Sequence, residues 1–164
     1  MERRDKINYY LDIAEAVSER STCLRRKFGA IVVKNDEIIS TGYNGAPRGR
    51  QNCSDLDYCY RERMGVPRGQ RYELCRSVHA EANAIISASR ASLMGSALYL
   101  ACHDAETGRL DGAVEPCSMC KRLILNAGIE RVYIRDTADR YTVIETADWI
   151  AHDDSLADEA PTGY

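Results

Sequence analysis

The sequence predicts an α/β fold, a three-layer α/β/α sandwich with a mixed central sheet. An apolar stripe at helical spacing, several β-branched runs and their alternation in the order α-β-β-α-β-α-β-α support this fold class. With 164 residues, 45% of them hydrophobic, the chain can bury a sizeable core in one domain. We expect that domain to span residues 1–153, followed by a flexible acidic tail over 154–164.

The N-terminal elements are predicted from local pattern. Apolar residues recur at helical spacing from Asp5 to Glu19, which predicts an amphipathic helix. Two β-branched runs, Phe28 to Lys34 and Glu37 to Gly42, flank Asn35-Asp36 and predict an antiparallel hairpin. Residues 43–75 are rich in Gly, Arg, Cys and Pro, so we predict a long loop there, and a loop of this length is usually functional or tied by metal.

The remainder of the chain alternates helical and extended patterns. Pro116 suits a helix entry, and Asn126-Ala127-Gly128 resembles a glycine-terminated helix end. The predicted elements are a helix over 77–90, a strand over 97–101, a polar loop over 102–115, a helix from 116 to about 128, a strand over 131–135 and a last helix over 143–150.

Composition excludes several classes of protein. A net charge of −3 argues against a stable nucleic-acid partner, because neutralising phosphates needs clustered Lys and Arg. The charged N-terminus lacks the apolar segment of a secretory signal, and no apolar run is long enough to span a membrane. We therefore expect a cytoplasmic protein, in which seven cysteines are metal ligands more often than disulfides.

Two short strings combine the ligands of a zinc site with a base. They are His79-Ala80-Glu81 and Pro116-Cys117-Ser118-Met119-Cys120. His79, Cys117 and Cys120 supply three zinc ligands and leave a fourth position for water, while Glu81 remains as an unligated carboxylate to act on that water. The pattern H-x-E followed by P-C-x-x-C is the known signature of zinc-dependent nucleobase deaminases.

The spacing requires that both strings lie at helix starts. Residues two apart on a helix point about 200° away from each other, so His79 and Glu81 reach one site only if the helix directs its N-terminus at it. Alternatives exist for each string alone: C-x-x-C also occurs in redox pairs and structural zinc sites, and H-x-E occurs by chance. Their conjunction in this order favours a catalytic zinc.

Four further cysteines suggest a second metal. Cys23, Cys53, Cys59 and Cys75 could form a closed four-thiolate zinc site, which is structural in type and would anchor the long loop. The alternative is that some of these cysteines are simply buried or free.

The chain resembles the deoxycytidylate (dCMP) deaminase branch of the cytidine deaminase superfamily. The resemblance implies a cytidine deaminase-like fold, a small-molecule nucleotide substrate and hydrolysis of dCMP to dUMP. It also implies a homo-oligomer, often a hexamer, with activation by dCTP, inhibition by dTTP and a place for Mg²⁺ beside the nucleotide effector. Besides the two zinc strings, the matching strings include Ser21-Thr22-Cys23, Gly29 to Asn35, Ser40 to Pro47 and Asn52-Cys53.

The resemblance also suggests substrate-binding residues. Asn44 matches an asparagine of the nucleotide site, and a basic residue after Ser-Thr-Cys is the phosphate candidate. Arg26 is our choice for that role, with Arg25 and Lys27 as rivals, and Ala80 is a further substrate-binding candidate. Some members of the family hold a second zinc with the cysteines that match Cys23 and Cys53, whereas Cys59 and Cys75 have no motif counterpart.

One segment departs from the family pattern. Residues 103–115 form an insertion that ends beside the predicted metal and could reshape the pocket. Deamination of another amine-bearing base, nucleoside or nucleotide therefore stays open as an alternative. Editing of a polynucleotide and a non-catalytic zinc-binding module are further alternatives, although a purely structural zinc needs no free carboxylate beside it.

Overall fold

A computed structural model of the chain describes residues 1–156, and its central element is one five-stranded sheet. The strand order is β2-β1-β3-β4-β5, with β3 and β4 parallel and the other neighbours antiparallel. The mixed sheet confirms the predicted fold class. The strands are β1 (Arg26–Lys34), β2 (Glu37–Tyr43), β3 (Ala97–Asp104), β4 (Arg131–Arg135) and β5 (Tyr141–Glu145).

Helices cover both faces of the sheet. One helix, α1, packs on one face against β1 and β3, while α4 and α6 lie on the opposite face. None of the helices within residues 1–156 has the length and apolar character needed to cross a bilayer. The helices are α1 (Lys6–Ser18), α2 (Cys53–Leu56), α3 (Tyr60–Arg63), α4 (Ala80–Ile86), α5 (Arg90–Leu93), α6 (Ser118–Ala127) and α7 (Thr146–Ala151), with 3₁₀ turns at Tyr72–Leu74 and Asp154–Leu156.

Alternation along the central strands produces two apolar cores. In β1, Ala30 and Val32 face α4 and α6, whereas Ile31 and Val33 face α1. Because both faces of the central strands are covered, β1 is buried without interruption from Gly29 to Val33. The core on the α4 and α6 side lies directly beneath the two strings that were predicted to bind zinc.

Two glycines in the sheet let the helices approach closely. A Cβ on Gly29 would collide with the main chain of α1 at Ala14 and Ser18. A Cβ on Gly42 would collide with the main chain of α4 at Ala80 and Ala84. Close contact of Gly42 with the first turn of α4 therefore sets where the residues around Ala80 lie.

Several predicted element boundaries were wrong. The predicted loop over 43–75 contains α2, α3 and a 3₁₀ turn, which are too short to show a helical period. The predicted helix over 77–90 is α4 followed by a separate α5, because the chain turns at residues 87–89. The third strand continues to Asp104, three residues beyond the predicted end, since it pairs with β1 along its whole length.

The C-terminal elements also differ from the prediction. The predicted helix over 143–150 is a strand, β5, followed by α7, which contains Trp149. β5 is a short edge strand with mostly exposed side chains, so it lacks the apolar alternation that identifies a buried strand. Of the predicted tail, Asp154–Leu156 forms a 3₁₀ turn and residues 157–164 lie outside the described residues.

Candidate metal and catalytic site

The two zinc-type strings occupy the starts of two helices. His79 is the N-cap of α4 and Cys117 is the N-cap of α6, both with extended backbone conformations. Pro116 precedes the second cap and Cys120 lies in the first turn of α6. The positive ends of both helices therefore point toward one place, which favours thiolates and other anions there.

The distances between the ligand atoms fit a tetrahedral metal ion. His79 Nδ1 lies 3.4 Å from Cys117 Sγ and 3.5 Å from Cys120 Sγ. Zinc bonds of about 2.3 Å to sulfur and about 2.0 Å to nitrogen, arranged tetrahedrally, predict an N···S separation of about 3.5 Å. The three ligand atoms all lie within 4.8 Å of one another, so the donor set and its spacing suit zinc with a fourth position open.

The short distances between these three side chains shift their pKa values. A hydrogen bond from Cys120, together with His79, lowers the pKa of Cys117, and the same bond raises the pKa of Cys120. Burial alone would lower the pKa of His79, but hydrogen bonds to Cys117 and Cys75 and the charge of Glu81 raise it to about 11. The cluster thus holds protons that a bound metal would replace, so metal uptake should release protons.

Glu81 lies in the first turn of α4 and is only 4% exposed. Burial raises the pKa of its carboxyl, which the nearby positive charge of His79 partly opposes. The carboxylate lines the same cavity as His79 and Cys117. A buried carboxylate with a raised pKa beside a metal site is suited to accept and release a proton.

A cavity of about 410 Å³ opens beside the metal-ligand cluster, which is large enough for a small organic ligand. Its wall brings together all three substrate-binding candidates, Asn44, Arg26 and Ala80. Of the two rivals to Arg26, Arg25 lies in the wall and Lys27 does not. The cavity therefore joins residues from β1, the end of β2, α4 and the segment before α6.

Asn44 is held firmly at the cavity wall. Its Oδ1 accepts hydrogen bonds from Ser21 Oγ at 2.5 Å and Phe28 N at 2.9 Å, and its Nδ2 donates to Arg26 O at 2.9 Å. The side chain is 6% exposed. Within the described residues these bonds use one of its two amide hydrogens, so the second can serve a ligand hydroxyl.

Arg26 has a partner in the insertion. Its Nη2 lies 3.1 Å from Asp111 Oδ2, and Arg68 Nη2 lies 4.0 Å from the same oxygen. The insertion also contributes Ala113, Val114 and Glu115 to the cavity wall. The insertion therefore forms part of the cavity wall.

Three of the four cysteines of the predicted second metal site lie at the same cavity. Cys23, Cys59 and Cys75 line it, and a hydrogen bond of 3.2 Å from Ser54 N to Thr22 O brings the segments of Cys23 and Cys53 together. Burial and the neighbouring thiols raise the pKa of Cys53. These four cysteines do not form a compact ligand group, however. Within residues 1–156, the side chains that bring three metal-binding atoms within 4.8 Å of one another are His79, Cys117 and Cys120.

The sequence did not identify Tyr72, which packs next to His79, or Arg61, which packs against Tyr72. The Tyr72 ring meets the His79 ring edge-on at 5.3 Å, and the Arg61 guanidinium lies 4.4 Å from the centre of the Tyr72 ring. Arg61 is 6% exposed and donates to the main chain at Pro67, 3.1 Å away, and at Gln70. No local pattern distinguishes these residues from the other Arg and Tyr residues of the segment.

Comparison with known proteins agrees with this geometry. Residues 4–135 match the family model described as the cytidine and deoxycytidylate deaminase zinc-binding region. A deoxycytidylate deaminase of a Mycobacterium phage is 42% identical, over 80% of this chain and 95% of that protein. A deoxycytidylate deaminase of Schizosaccharomyces pombe is 32% identical, over 76% of this chain and 35% of the yeast protein.

A solved structure gives the same assignment. The dCMP deaminase of cyanophage S-TIM5, crystallised with dCMP and dUMP, is 28% identical and has a TM-score of 0.53. The match covers 80% of this chain and 82% of that one. Together with the convergence of His79, Cys117 and Cys120, these matches establish that the chain belongs to the cytidine and deoxycytidylate deaminase zinc-binding family.

Proposed function

We propose that the chain catalyses the zinc-dependent hydrolytic deamination of dCMP to dUMP and ammonia. One observation carries the proposal: three zinc-type ligands converge at two helix starts, and a buried carboxylate that is not one of them lines the same cavity. A structural zinc has no use for such a carboxylate or for an adjoining cavity of about 410 Å³. Both features are those of a hydrolytic centre.

Each side chain has a distinct role in this reaction. His79, Cys117 and Cys120 would hold the zinc, which when bound acts as a Lewis acid that lowers the pKa of water toward neutrality. Glu81 accepts the proton of the attacking water and delivers it to the ring nitrogen of the base. Glu81 then takes the second proton of the attacking water from the oxygen now bonded to the ring carbon and passes it to the amino nitrogen. The bond from carbon to that nitrogen breaks, ammonia leaves and the carbonyl of dUMP forms.

The walls of the cavity fit the rest of a nucleotide. We assign Asn44 to a sugar hydroxyl, through the amide hydrogen that its structural bonds leave over, and Arg26 to the 5′-phosphate. Ala80 lies between His79 and Glu81, where its backbone and small side chain can contact the base. The relatives named as deoxycytidylate deaminases support dCMP as the substrate.

Ammonia release from a panel of substrates tests the proposal. We expect the zinc-loaded protein to deaminate dCMP with a kcat/KM at least about 100-fold above that for deoxycytidine, because only dCMP carries the phosphate that Arg26 can bind. Preference for deoxycytidine, guanine or a single-stranded oligonucleotide would reject the dCMP assignment. Absence of ammonia from every substrate would instead favour the non-catalytic zinc-binding module.

We further propose a second, structural zinc held by Cys23, Cys53, Cys59 and Cys75. The clustering of these thiols around Cys53 supports it, and binding would draw the four sulfurs together and anchor the segment of α2 and α3. Metal analysis of Cys117→Ala provides the test. One zinc per chain supports the second site, and loss of that remaining zinc in Cys117→Ala with Cys53→Ser assigns it to these cysteines. A zinc-free Cys117→Ala protein rejects it.

The resemblance leads to a broader proposal about regulation and location. We place the enzyme in the cytoplasm as a homo-oligomer, with a hexamer as the expected size, activated by dCTP with Mg²⁺ and inhibited by dTTP. The seven free cysteines support a reducing compartment, and the assembly and its effectors follow from the resemblance. Light scattering measures the assembly, and dCMP kinetics with each effector measure the regulation.

A further inference from the structure

Three arginines form a wall between two cavities. Arg25, Arg26 and Arg68 line the catalytic cavity and also an adjoining cavity of about 380 Å³. Acidic residues, including Asp111 and Glu106, also line the second cavity. The three arginines therefore lie where the two cavities adjoin.

One carboxylate oxygen of Asp111 forms a close ion pair with Arg26 and a longer one with the more exposed Arg68. Asp111 Oδ2 lies 3.1 Å from Arg26 Nη2 and 4.0 Å from Arg68 Nη2. The side chains of Arg26 and Asp111 are 26% and 25% exposed, so the pair is only partly screened by solvent. An oxygen anion bound by two guanidinium groups is also the arrangement that arginines form with a phosphate.

The other side of Asp111 is anchored in the insertion. Its Oδ1 accepts a hydrogen bond from Ala113 N at 3.2 Å, and its own N–H donates to Cys102 O at 2.9 Å. Oδ1 of Asp111 thus accepts a hydrogen bond within the loop turn, and Oδ2 pairs with the arginines. The carboxylate is held in place by the fold and does not depend on Arg26 for its position.

We propose that Asp111 is the internal counter-ion of the 5′-phosphate subsite and determines how tightly that subsite binds phosphate. This inference rests on the proposed function, in which Arg26 binds the phosphate of dCMP. The substrate phosphate takes the place of the Asp111 oxygen on Arg26 and Arg68, and Asp111 takes the arginines back when the product leaves. The insertion therefore acts on substrate affinity through a single charged side chain.

This competition weakens the binding of substrate and product equally. dCMP and dUMP carry the same phosphate, so an interaction with that group is uniform along the reaction and changes KM rather than the barrier to the chemical step. A subsite without its counter-ion would hold dUMP longer. Asp111 accordingly favours release of the product at the expense of affinity for the substrate.

The test compares two variants that each remove one negative charge from the second cavity. Asp111→Asn keeps an oxygen for Ala113 N, and Glu106→Gln is the matched control, since Glu106 is exposed and makes no ion pair within the described part of the chain. We expect Asp111→Asn to lower the KM for dCMP and the inhibition constant of dUMP by the same factor, about three- to fivefold. Kinetics with deoxycytidine should not change, and Glu106→Gln should resemble the wild type.

Asp111→Ser, whose hydroxyl can also accept from Ala113 N, should change phosphate affinity in the same direction. Thermal melting shows whether each variant is folded. An unchanged or raised KM for dCMP in folded variants, or an equal change with deoxycytidine, would overturn the inference and reduce Asp111 to a loop anchor. Tighter binding of dCMP or dUMP by Glu106→Gln would overturn it too, because the loss of any negative charge from the second cavity would then be enough to raise the affinity.

Calorimetry with inorganic phosphate and with dUMP separates this inference from the proposed function. If Asp111→Asn binds both ligands more tightly although no variant deaminates dCMP, the proposed function fails and the phosphate subsite stands. If dCMP is deaminated normally but the affinities for phosphate and dUMP equal those of the wild type, the subsite inference alone fails.

Discussion

Arg135 and Glu81 are buried charged side chains on opposite faces of the sheet, and their surroundings differ greatly. Arg135 on the α1 face is fully buried, and its nitrogens lie 2.6 Å from Asn8 Oδ1 and 2.6 Å from Glu15 Oε1, with Asp12 as a further partner. Glu81 on the opposite face is 4% exposed, and its neighbours are the metal ligands His79 and Cys120. A buried charge matched by permanent partners stabilises a fold, whereas one that faces a cavity and metal ligands is available for chemistry.

Glu81→Gln gives the largest effect that this comparison predicts. The amide cannot carry a proton between water and the base, so we expect kcat to fall by at least about 10³-fold. The zinc content should stay the same, because Glu81 is not a ligand. Ammonia release and metal analysis measure the two effects. Full activity in the variant would remove Glu81 from the mechanism, and loss of zinc would make it a ligand.

Arg135→Ala should lower the stability of the protein and leave catalysis unchanged. Removing the guanidinium leaves a cavity and takes the buried cationic partner away from Asp12 and Glu15, which should cost about 3 kcal/mol in the free energy of unfolding. Arg4→Ala is the control, since it removes a partly exposed partner of the same Asp12 and should lower the free energy of unfolding much less than Arg135→Ala does. Urea unfolding measures both.

Arg135→Ala should keep the wild-type kcat under conditions where it is folded. A kcat loss as large as that of Glu81→Gln would show that the α1 face takes part in catalysis and would end the contrast between the two buried charges.

Gly29→Ala and Gly42→Ala apply one substitution to the two faces. Each new Cβ would collide with the main chain of a helix, so each should destabilise the protein by about 1–3 kcal/mol. Only Gly42 presses on Ala80, between His79 and Glu81. We therefore expect Gly42→Ala alone to weaken zinc binding and lower kcat in the folded protein, as measured by metal competition and ammonia release. Equal losses of zinc affinity and kcat in both variants would show that the site responds to destabilisation of the fold as a whole.

The pH dependence of stability gives the smallest effect. Hydrogen bonding from Arg4, together with Arg135, lowers the pKa of Asp12. Its stabilisation is therefore complete above the unfolded-state pKa of about 3.9 and is lost as the pH falls through the lower folded-state pKa. The wild type should exceed Asp12→Asn in free energy of unfolding at neutral pH, and this difference should narrow as the pH falls from about 5 to about 2. Because the carboxylate is half-exposed, the difference should not exceed about 1 kcal/mol. A gap that widens toward acid pH would contradict this sign.

Prediction from sequence succeeded where the signal is local. The ligands His79, Cys117 and Cys120 occur in short strings at helix starts, and the first strand carries a long apolar run. It failed for β5, an exposed edge strand of five residues, and for α2 and α3, which have four residues each. Such elements form because neighbouring strands and segments pair with them, so their own sequences show little periodicity.

The chain's sequence by itself determined the metal-ligand set and the family, and it singled out Glu81 as the proposed catalytic carboxylate, since the chemistry requires those residue types at short fixed spacings. Only the tertiary structure decided which charges meet. Asp111 of the insertion joins Arg26 of β1, and Arg135 reaches Asp12 across 123 positions. Ion pairs between distant segments depend on how helices and loops pack on the sheet, and packing leaves no periodic trace in the order of residues.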